Sequence, residues 1–149
     1  MDVNAFQVAQ RFIGTKETGG SLATPLILSW LQLDNKWAED DAVAWCSAFV
    51  NFVCFVLGLP RSRSLAARSW LLVGKSVPLT EARAGYDVVV LKRGKGVQPG
   101  PEVVAAQGHV GFYVSHDETN VSILGGNQGD AVSVAQFPKS SILRISRII

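Results

Sequence analysis

One thiol and one imidazole in this chain have neighbours that suit chemistry. Cys46 follows Asp41-Ala42-Val43-Ala44-Trp45 and opens the apolar run Ser47-Ala48-Phe49-Val50-Asn51-Phe52-Val53, so it falls just after a turn and within the first turn of a helix. Unpaired backbone N–H groups and the positive end of the helix dipole stabilise a thiolate at such a place. A cysteine whose pKa is lowered in this way can attack a carbonyl carbon. The alternative is a small buried hydrophobe, the commoner state of a free cysteine, and Cys54 on the same run is expected to be of that kind.

A thiol nucleophile needs a base, and the chain offers His109 and His116. His116 lies in the polar stretch Ser115-His116-Asp117-Glu118-Thr119-Asn120, a hairpin turn in which an idle, exposed histidine is expected. His109 opens Gly108-His109-Val110-Gly111-Phe112-Tyr113, directly after a glycine-containing loop. Strand alternation puts His109, Gly111 and Tyr113 on one face and Val110, Phe112 and Val114 on the other. Gly111 leaves room beside the imidazole. A third group should hold the imidazole through its other nitrogen, and an amide can do this as well as a carboxylate. The stretch Leu124-Gly125-Gly126-Asn127-Gln128-Gly129-Asp130 ends the next strand and returns beside His109, which brings Asn127 or Gln128 within reach; a plain turn is the competing reading.

The elements that must carry these groups fall in two blocks. An amphipathic helix is predicted over residues 3–13, with Gly14 as its cap, and a second begins at Pro25 and includes Trp30 and Leu31. After the acidic loop Glu39-Asp40-Asp41, the Cys46 helix runs to Leu57 with almost no polar face, so it is predicted to be central and covered on every side. Gly58 and Pro60 stop it. A further helix with Ser64 as N-cap is predicted through Trp70 and Leu71. From Asp87 onward the period changes, and short β-rich runs at 88–91, 110–114, 121–124, 131–134 and 142–145 read as roughly five antiparallel strands. Helices followed by strands indicate an α+β domain with the N-terminal helices packed on one face of the sheet. The 149 residues, with neither an internal repeat nor an interdomain linker, form one domain.

Composition excludes several functions. A net charge of +2 with scattered cations does not predict a nucleic-acid partner. The longest apolar run, residues 42–59, is interrupted by Asn51 and ends at Gly58, so no membrane span is expected. Cys46 and Cys54 on one helix would lie about 12 Å apart along its axis, too far for a disulfide. The two cysteines and two histidines lack zinc-finger spacing, so no metal and no other cofactor is expected. The N-terminus has neither a positive n-region nor a continuous apolar h-region, which predicts synthesis in the cytoplasm without a cleavable signal.

Four blocks in order resemble the NlpC/P60 and CHAP superfamily of papain-like cell-wall hydrolases, with the small single-domain, phage endolysin-like branch as the nearest pattern. They are Asp41-x-x-x-Trp45-Cys46-x-x-Phe49-Val50-Asn51, Ala67-Arg68-Ser69-Trp70-Leu71, Gly108-His109-Val110-Gly111-Phe112-Tyr113 and Leu124-Gly125-Gly126-Asn127-Gln128. The resemblance covers nearly the whole chain. It implies a papain-like α+β fold with the nucleophile at the start of the central helix. It also implies a thiol amidase or endopeptidase acting on peptidoglycan stem peptides, with Cys46 as nucleophile and His109 as base. Gly125 stands where CHAP members often have Glu, and Asn127 matches the Asn two places later, so the resemblance selects Asn127 as orienter. Glu17, Asp41, Trp45, Arg68, Trp70 and Gln128 are the candidates to line a substrate groove, with capping for Asp41, a surface position for Arg68 and core packing for Trp70 as alternatives. Tyr86-Asp87 departs from the Gly-Asp that relatives carry before the first strand.

A wall enzyme without a signal would reach the cell wall or periplasm through another system, such as a holin, a secretion apparatus or a phage particle. An immunity or inhibitor protein would then be a natural partner. A monomer is expected. The competing function is a binding module that keeps the hydrolase fold without turnover, and an acyl transferase with the same thiol chemistry is a third.

Overall fold

The computed structural model describes residues 2–18, 24–34 and 44–149. Among these residues it is an α+β domain with three α-helices, α1 (Ala5–Ala9), α2 (Pro25–Gln32) and α3 (Cys46–Leu57), ahead of a six-stranded sheet. The strands are β1 (Lys75–Ser76), β2 (Asp87–Lys92), β3 (Gly108–His116), β4 (Asn120–Gly125), β5 (Ser133–Pro138) and β6 (Ile142–Arg147). Their spatial order is β1-β6-β2-β3-β4-β5, and every neighbouring pair is antiparallel. Five of the six answer the sequence pattern, although the run expected at 131–134 is displaced: β5 spans Ser133–Pro138. The exception, β1, has two residues, too few for any periodicity to show.

Local chemistry explains where the helices begin and stop. Asn4 and Gln7 form a reciprocal capping box at α1, each side chain bonding the other residue's backbone N–H at 2.9 and 3.0 Å. The helix predicted over residues 3–13 is α1 followed by a tighter 3₁₀ turn, Gln10–Phe12, and Gly14 takes a positive φ of 97° beyond it. Pro25 occupies the first turn of α2. Gly58 closes α3 in the left-handed conformation, and the Leu59 N–H returns to the Cys54 carbonyl at 2.9 Å. The helix predicted after Ser64 is a 3₁₀ segment, Ala67–Leu72. Ser64 does not cap it; its hydroxyl takes the nearer Ala66 N–H at 3.1 Å.

The sheet carries apolar side chains on both faces. Val88, Val90, Val110, Phe112 and Leu124 pack with Trp30, Trp45, Phe49, Val50 and Val53 of the helical layer. On the other face Val89, Leu91, Tyr113, Val121, Ile123 and Ile145 form a smaller cluster, covered by Val77, Leu79, Ala82, Phe137 and Ile142. Burial on both faces is why β2 reads as the unbroken run Val88-Val89-Val90-Leu91 instead of alternating. Helix α3 is the central helix, but it is covered only over its first turns: Phe55 and Val56 are more than half exposed at its end. Arg61 lies over the Phe55 ring, 5.5 Å from its centre. Cys46 and Cys54 are both free and buried.

A crossing strand-like contact ties the N-terminus to the end of the sheet. Beyond Gly14 the chain pairs with residues 130–132 through Glu17 N–H to Asp130 O (3.0 Å), Val132 N–H to Thr15 O (2.9 Å) and Gly14 N–H to Val132 O (2.9 Å). These bonds brace the turn between β4 and β5.

Candidate active site

Cys46 is the first residue of α3 and is 2% exposed. Two forces act on its thiol in opposite directions. Burial pushes its pKa up, while the backbone N–H groups of Val110, Ser47 and Cys46 itself, together with the charge of Arg93, pull it down. Burial wins. The helix start therefore favours a thiolate, as the sequence suggests, but in the free protein the group is a protonated thiol at neutral pH. The thiol side of the site opens into a cavity of about 360 Å³ lined by Ala44, Leu65, Ala67, Arg93 and Gln107 among others.

His109, 5% exposed, shares its face of β3 with Gly111 and Tyr113. Its Nε2 lies 2.8 Å from Oε1 of Gln128. The orientation of that amide is fixed by its other end, because Gln128 Nε2 donates to the Ser133 carbonyl at 2.7 Å and the Ile123 carbonyl at 3.2 Å. Oε1 is thus the end facing the ring, and an amide oxygen only accepts. His109 must then carry its proton on Nε2, which leaves the Nδ1 lone pair free to take another. Burial pushes the imidazole below its ordinary pKa, the Gln128 bond acts the other way, and Arg93 adds to the lowering. The ring is accordingly a neutral base at pH 7. Phe137 packs on it with ring centres 5.3 Å apart.

Two glycines make this geometry sterically feasible. A methyl group on Gly125 would sit 2.7 Å from Gln128 Oε1 and 3.5 Å from His109 Nε2. One on Gly111 would lie 2.3 Å from Ile123 Cγ2 and 3.0 Å from the Leu124 carbonyl, so this glycine lets β4 close on β3 beside the histidine.

The sequence-predicted residues separate clearly. Gln128, assigned to the groove, holds the imidazole instead of Asn127. Asn127 sits in the left-handed conformation (φ 56°), which turns the chain so that the following side chain, not its own, points back to His109. Asn127 lines the cavity of about 410 Å³ on the imidazole side, with His109, Gln128, Lys92 and Arg93. Trp45 is no groove wall: it is fully buried, donates from Nε1 to Glu17 Oε2 at 2.6 Å, and lies under Gly126. Glu17 accordingly accepts from Trp45. Trp70 is core as well, donating to Ser47 Oγ at 3.0 Å. Arg68 is fully buried rather than in a groove or on the surface, and its guanidinium donates to the carbonyls of Gln107 (2.7 Å), Gly100 (2.8 Å), Val103 (2.9 Å) and Pro99 (2.9 Å). It fixes the β2–β3 loop that walls the thiol cavity. Asp41 lies outside the described residues.

Cys46 and His109 meet the same stretch of β3: the thiol lies against the Val110 backbone, next to His109 in the chain. Among the described residues no hydrogen bond joins thiol to imidazole, and Arg93 lines both of their cavities. Ser133, Gly125, Arg93 and Phe137 are site residues that sequence reasoning missed; only Gly125 belonged to a block already singled out. Among the described residues no group of three or more His, Cys, Asp or Glu side chains is placed to hold a metal, and no helix is long and apolar enough to cross a membrane.

No family model and no curated protein sequence matches this chain. Solved structures do resemble it. NlpC1 from Trichomonas vaginalis superposes with a TM-score of 0.57 at 15% identity, over 99% of this chain and 45% of that one. The P60 domain of an antigen from M. avium subspecies paratuberculosis gives 0.51 at 16% identity, over 97% of this chain and 95% of that domain. The chain spans less than half the length of NlpC1. What these likenesses establish is the architecture: this is the NlpC/P60 fold, an antiparallel sheet with its helices ahead of it.

Proposed function

We propose that the protein is a cysteine hydrolase, an amidase or endopeptidase that cleaves amide bonds in bacterial peptidoglycan peptides. The observation that carries this reading is the locked tautomer of His109. An imidazole that is buried, neutral and held through Nε2 by Gln128 presents Nδ1 as a base, on a strand lying against the start of the helix that bears Cys46. That division of labour is what thiol-mediated acyl transfer requires.

In the proposed reaction, the Cys46 proton passes to His109 Nδ1 as Sγ attacks the amide carbonyl carbon. The C–O π electrons move to oxygen, and backbone N–H groups at the start of α3 stabilise that charge. His109 returns its proton to the leaving nitrogen as the C–N bond breaks, which gives a thioester and a free amine. Water, deprotonated by His109, then releases the acid and restores the thiol. Because burial keeps Cys46 protonated at rest, proton transfer and attack are coupled to substrate binding.

A binding module with the same fold is the second reading. The observation favouring it is that thiol and imidazole share no hydrogen bond in the free protein. Mass spectrometry of fragments released from defined peptidoglycan separates the two. Wild type should release peptides and Cys46→Ala should release none, with both proteins melting alike. Equal release by a folded Cys46→Ala variant would sink the hydrolase, and no release by either would favour the binding module.

A further inference from the structure

Glu17 joins the helical core to the turn that presents Gln128. Its carboxylate Oε2 accepts from Trp45 Nε1 at 2.6 Å, and its backbone N–H donates to the Asp130 carbonyl at 3.0 Å. The indole is a fixed point. Trp45 is fully buried, its ring lies 5.9 Å from that of Trp30, and its carbonyl accepts the Phe49 N–H at 3.1 Å in the first turn of α3. A carboxylate accepting from a donor so placed makes a charge-assisted bond, stronger than a neutral one.

The turn at 127–130 is less secure by itself. Asn127, Gly129 and Asp130 all take left-handed backbone, with φ of 56°, 63° and 58°. Asn and Asp tolerate that region better than most residues, yet their surroundings must hold them in it. From within, Gln128 N–H bonds the Ala131 carbonyl at 3.0 Å and Ser133 Oγ bonds the Gln128 carbonyl at 3.1 Å. From outside, residues 14–17 pair with 130–132, and Glu17 is the member of that segment whose side chain reaches Trp45. Thr24 Oγ1 also donates to the Lys16 carbonyl at 2.5 Å, so the segment keeps a second hold when the carboxylate is removed.

We infer that Glu17 is a positioning residue for the base. By holding residues 14–17 to the Trp45 indole it keeps the turn at 127–130 in place, and with it Gln128 Oε1 on Nε2 of His109. It acts on the tautomer and not on the substrate. With the Gln128 bond loosened, the imidazole proton is free to move to Nδ1, and a ring protonated there cannot accept the Cys46 proton at that atom. The effect on rate rests on the reaction proposed above, whereas the tautomer is a property of the free protein.

The test is nitrogen and proton NMR of the full chain labelled in its histidine rings, which gives signals from His109 and His116 alone. Wild type should show a slowly exchanging Nε2–H on His109 and an unprotonated Nδ1. In Glu17→Ala the two His109 nitrogen shifts should move toward each other as the tautomers mix, and the Nε2–H should exchange faster. The kcat of that variant should fall roughly tenfold or more, with KM little changed. His116, held at Nδ1 by the Tyr113 hydroxyl at 2.7 Å, should give the same signals throughout. Glu17→Gln keeps an oxygen for the indole N–H, so it should restore both spectrum and rate. If Glu17→Ala does not fold, Glu17→Asp takes its place with the same expected spectrum, since the shorter side chain falls short of the indole. An unchanged His109 spectrum in the folded variant, or a Glu17→Gln protein that behaves like Glu17→Ala, would overturn the assignment. Loss of folding in both Glu17→Ala and Glu17→Asp would make Glu17 a structural residue and overturn it too. Failure of the wild type to cleave peptidoglycan would remove the hydrolase and leave the spectral test of Glu17 intact.

Discussion

The Oε1 atom of Gln128 lies 2.8 Å from Nε2 of His109, and the nitrogen of the same amide is tied to the carbonyls of Ser133 and Ile123. A neutral residue thus sets the tautomer of the base, and among the described residues no carboxylate bonds to the ring to stabilise an imidazolium. Replacing Gln128 with Ala should lower kcat roughly 100-fold with a smaller change in KM. Gln128→Glu should also lose stability, because one carboxylate oxygen would face two carbonyls. Asn127→Gly, which keeps the left-handed turn, should retain turnover. Steady-state kinetics on the three variants checks the assignment, and a reversed ranking would return the orienting role to Asn127.

The paired glycines before that turn should fail in different ways. Gly125→Ala drives a methyl group into the Gln128–His109 contact, so activity should fall while the melting temperature changes little. Gly126→Ala meets the Trp45 ring at 2.6 Å and Phe49 Cβ at 3.0 Å, inside the helical core. It should cost about 1–3 kcal/mol of stability. Thermal melts and activity, measured side by side, should show the two effects uncoupled.

Arg68 lends itself to a test of loop positioning. Arg68→Met leaves four backbone carbonyls without their donor, which should destabilise the protein by on the order of 3 kcal/mol. Arg68→Lys should not rescue it, since a single ammonium cannot reproduce the guanidinium's spread of donors. Limited proteolysis should find new cleavage within residues 93–107 in both variants, with the loop of the wild type resistant.

Stability should fall on both sides of neutrality. Burial holds His109 below the ordinary 6.5, so as pH drops through that range the unfolded chain takes up a proton that the folded one refuses, and folding weakens. Burial also raises Cys46 above the ordinary 9.0 and Cys54 to about 12. As pH rises past 9.0, unfolded thiols ionise while folded ones stay protonated, and stability is lost again. Each group contributes a slope of at most about 1.4 kcal/mol per pH unit. Urea titrations across pH should show the two limbs. Cys54→Ala should flatten the alkaline limb and His109→Gln the acid one.

The sequence was informative where a pattern is local. The apolar run after Cys46, its stop at Gly58 and the alternation through His109, Gly111 and Tyr113 are each set by neighbours in the chain, and the structure reproduces them. The choice between Asn127 and Gln128 was not local. The positive φ of Asn127 decides which of two adjacent amides faces the ring, and Asn and Gln have nearly the same chemistry to a reader of letters. Arg68 was misplaced for another reason: what buries it is the loop at 99–107, more than thirty positions downstream. Trp45 and Trp70 were offered as groove walls because large aromatics serve equally well as walls and as core, and only packing distinguishes them. For Cys46, the helix start was legible but the degree of burial that opposes it was not.

The pairing of residues 14–17 with 130–132 places the support of the imidazole in a segment far from either reacting group in the chain. Gln128 itself bonds to Ala131 through its backbone N–H at 3.0 Å, so the N-terminal segment acts as a clasp on the hairpin that presents the amide. The domain therefore contains a ready point of control. A fusion or proteolytic cut that draws Thr15–Glu17 away should loosen the base while leaving Cys46 and the helical core in place. An inhibitory tether could be built there without altering any side chain of the site.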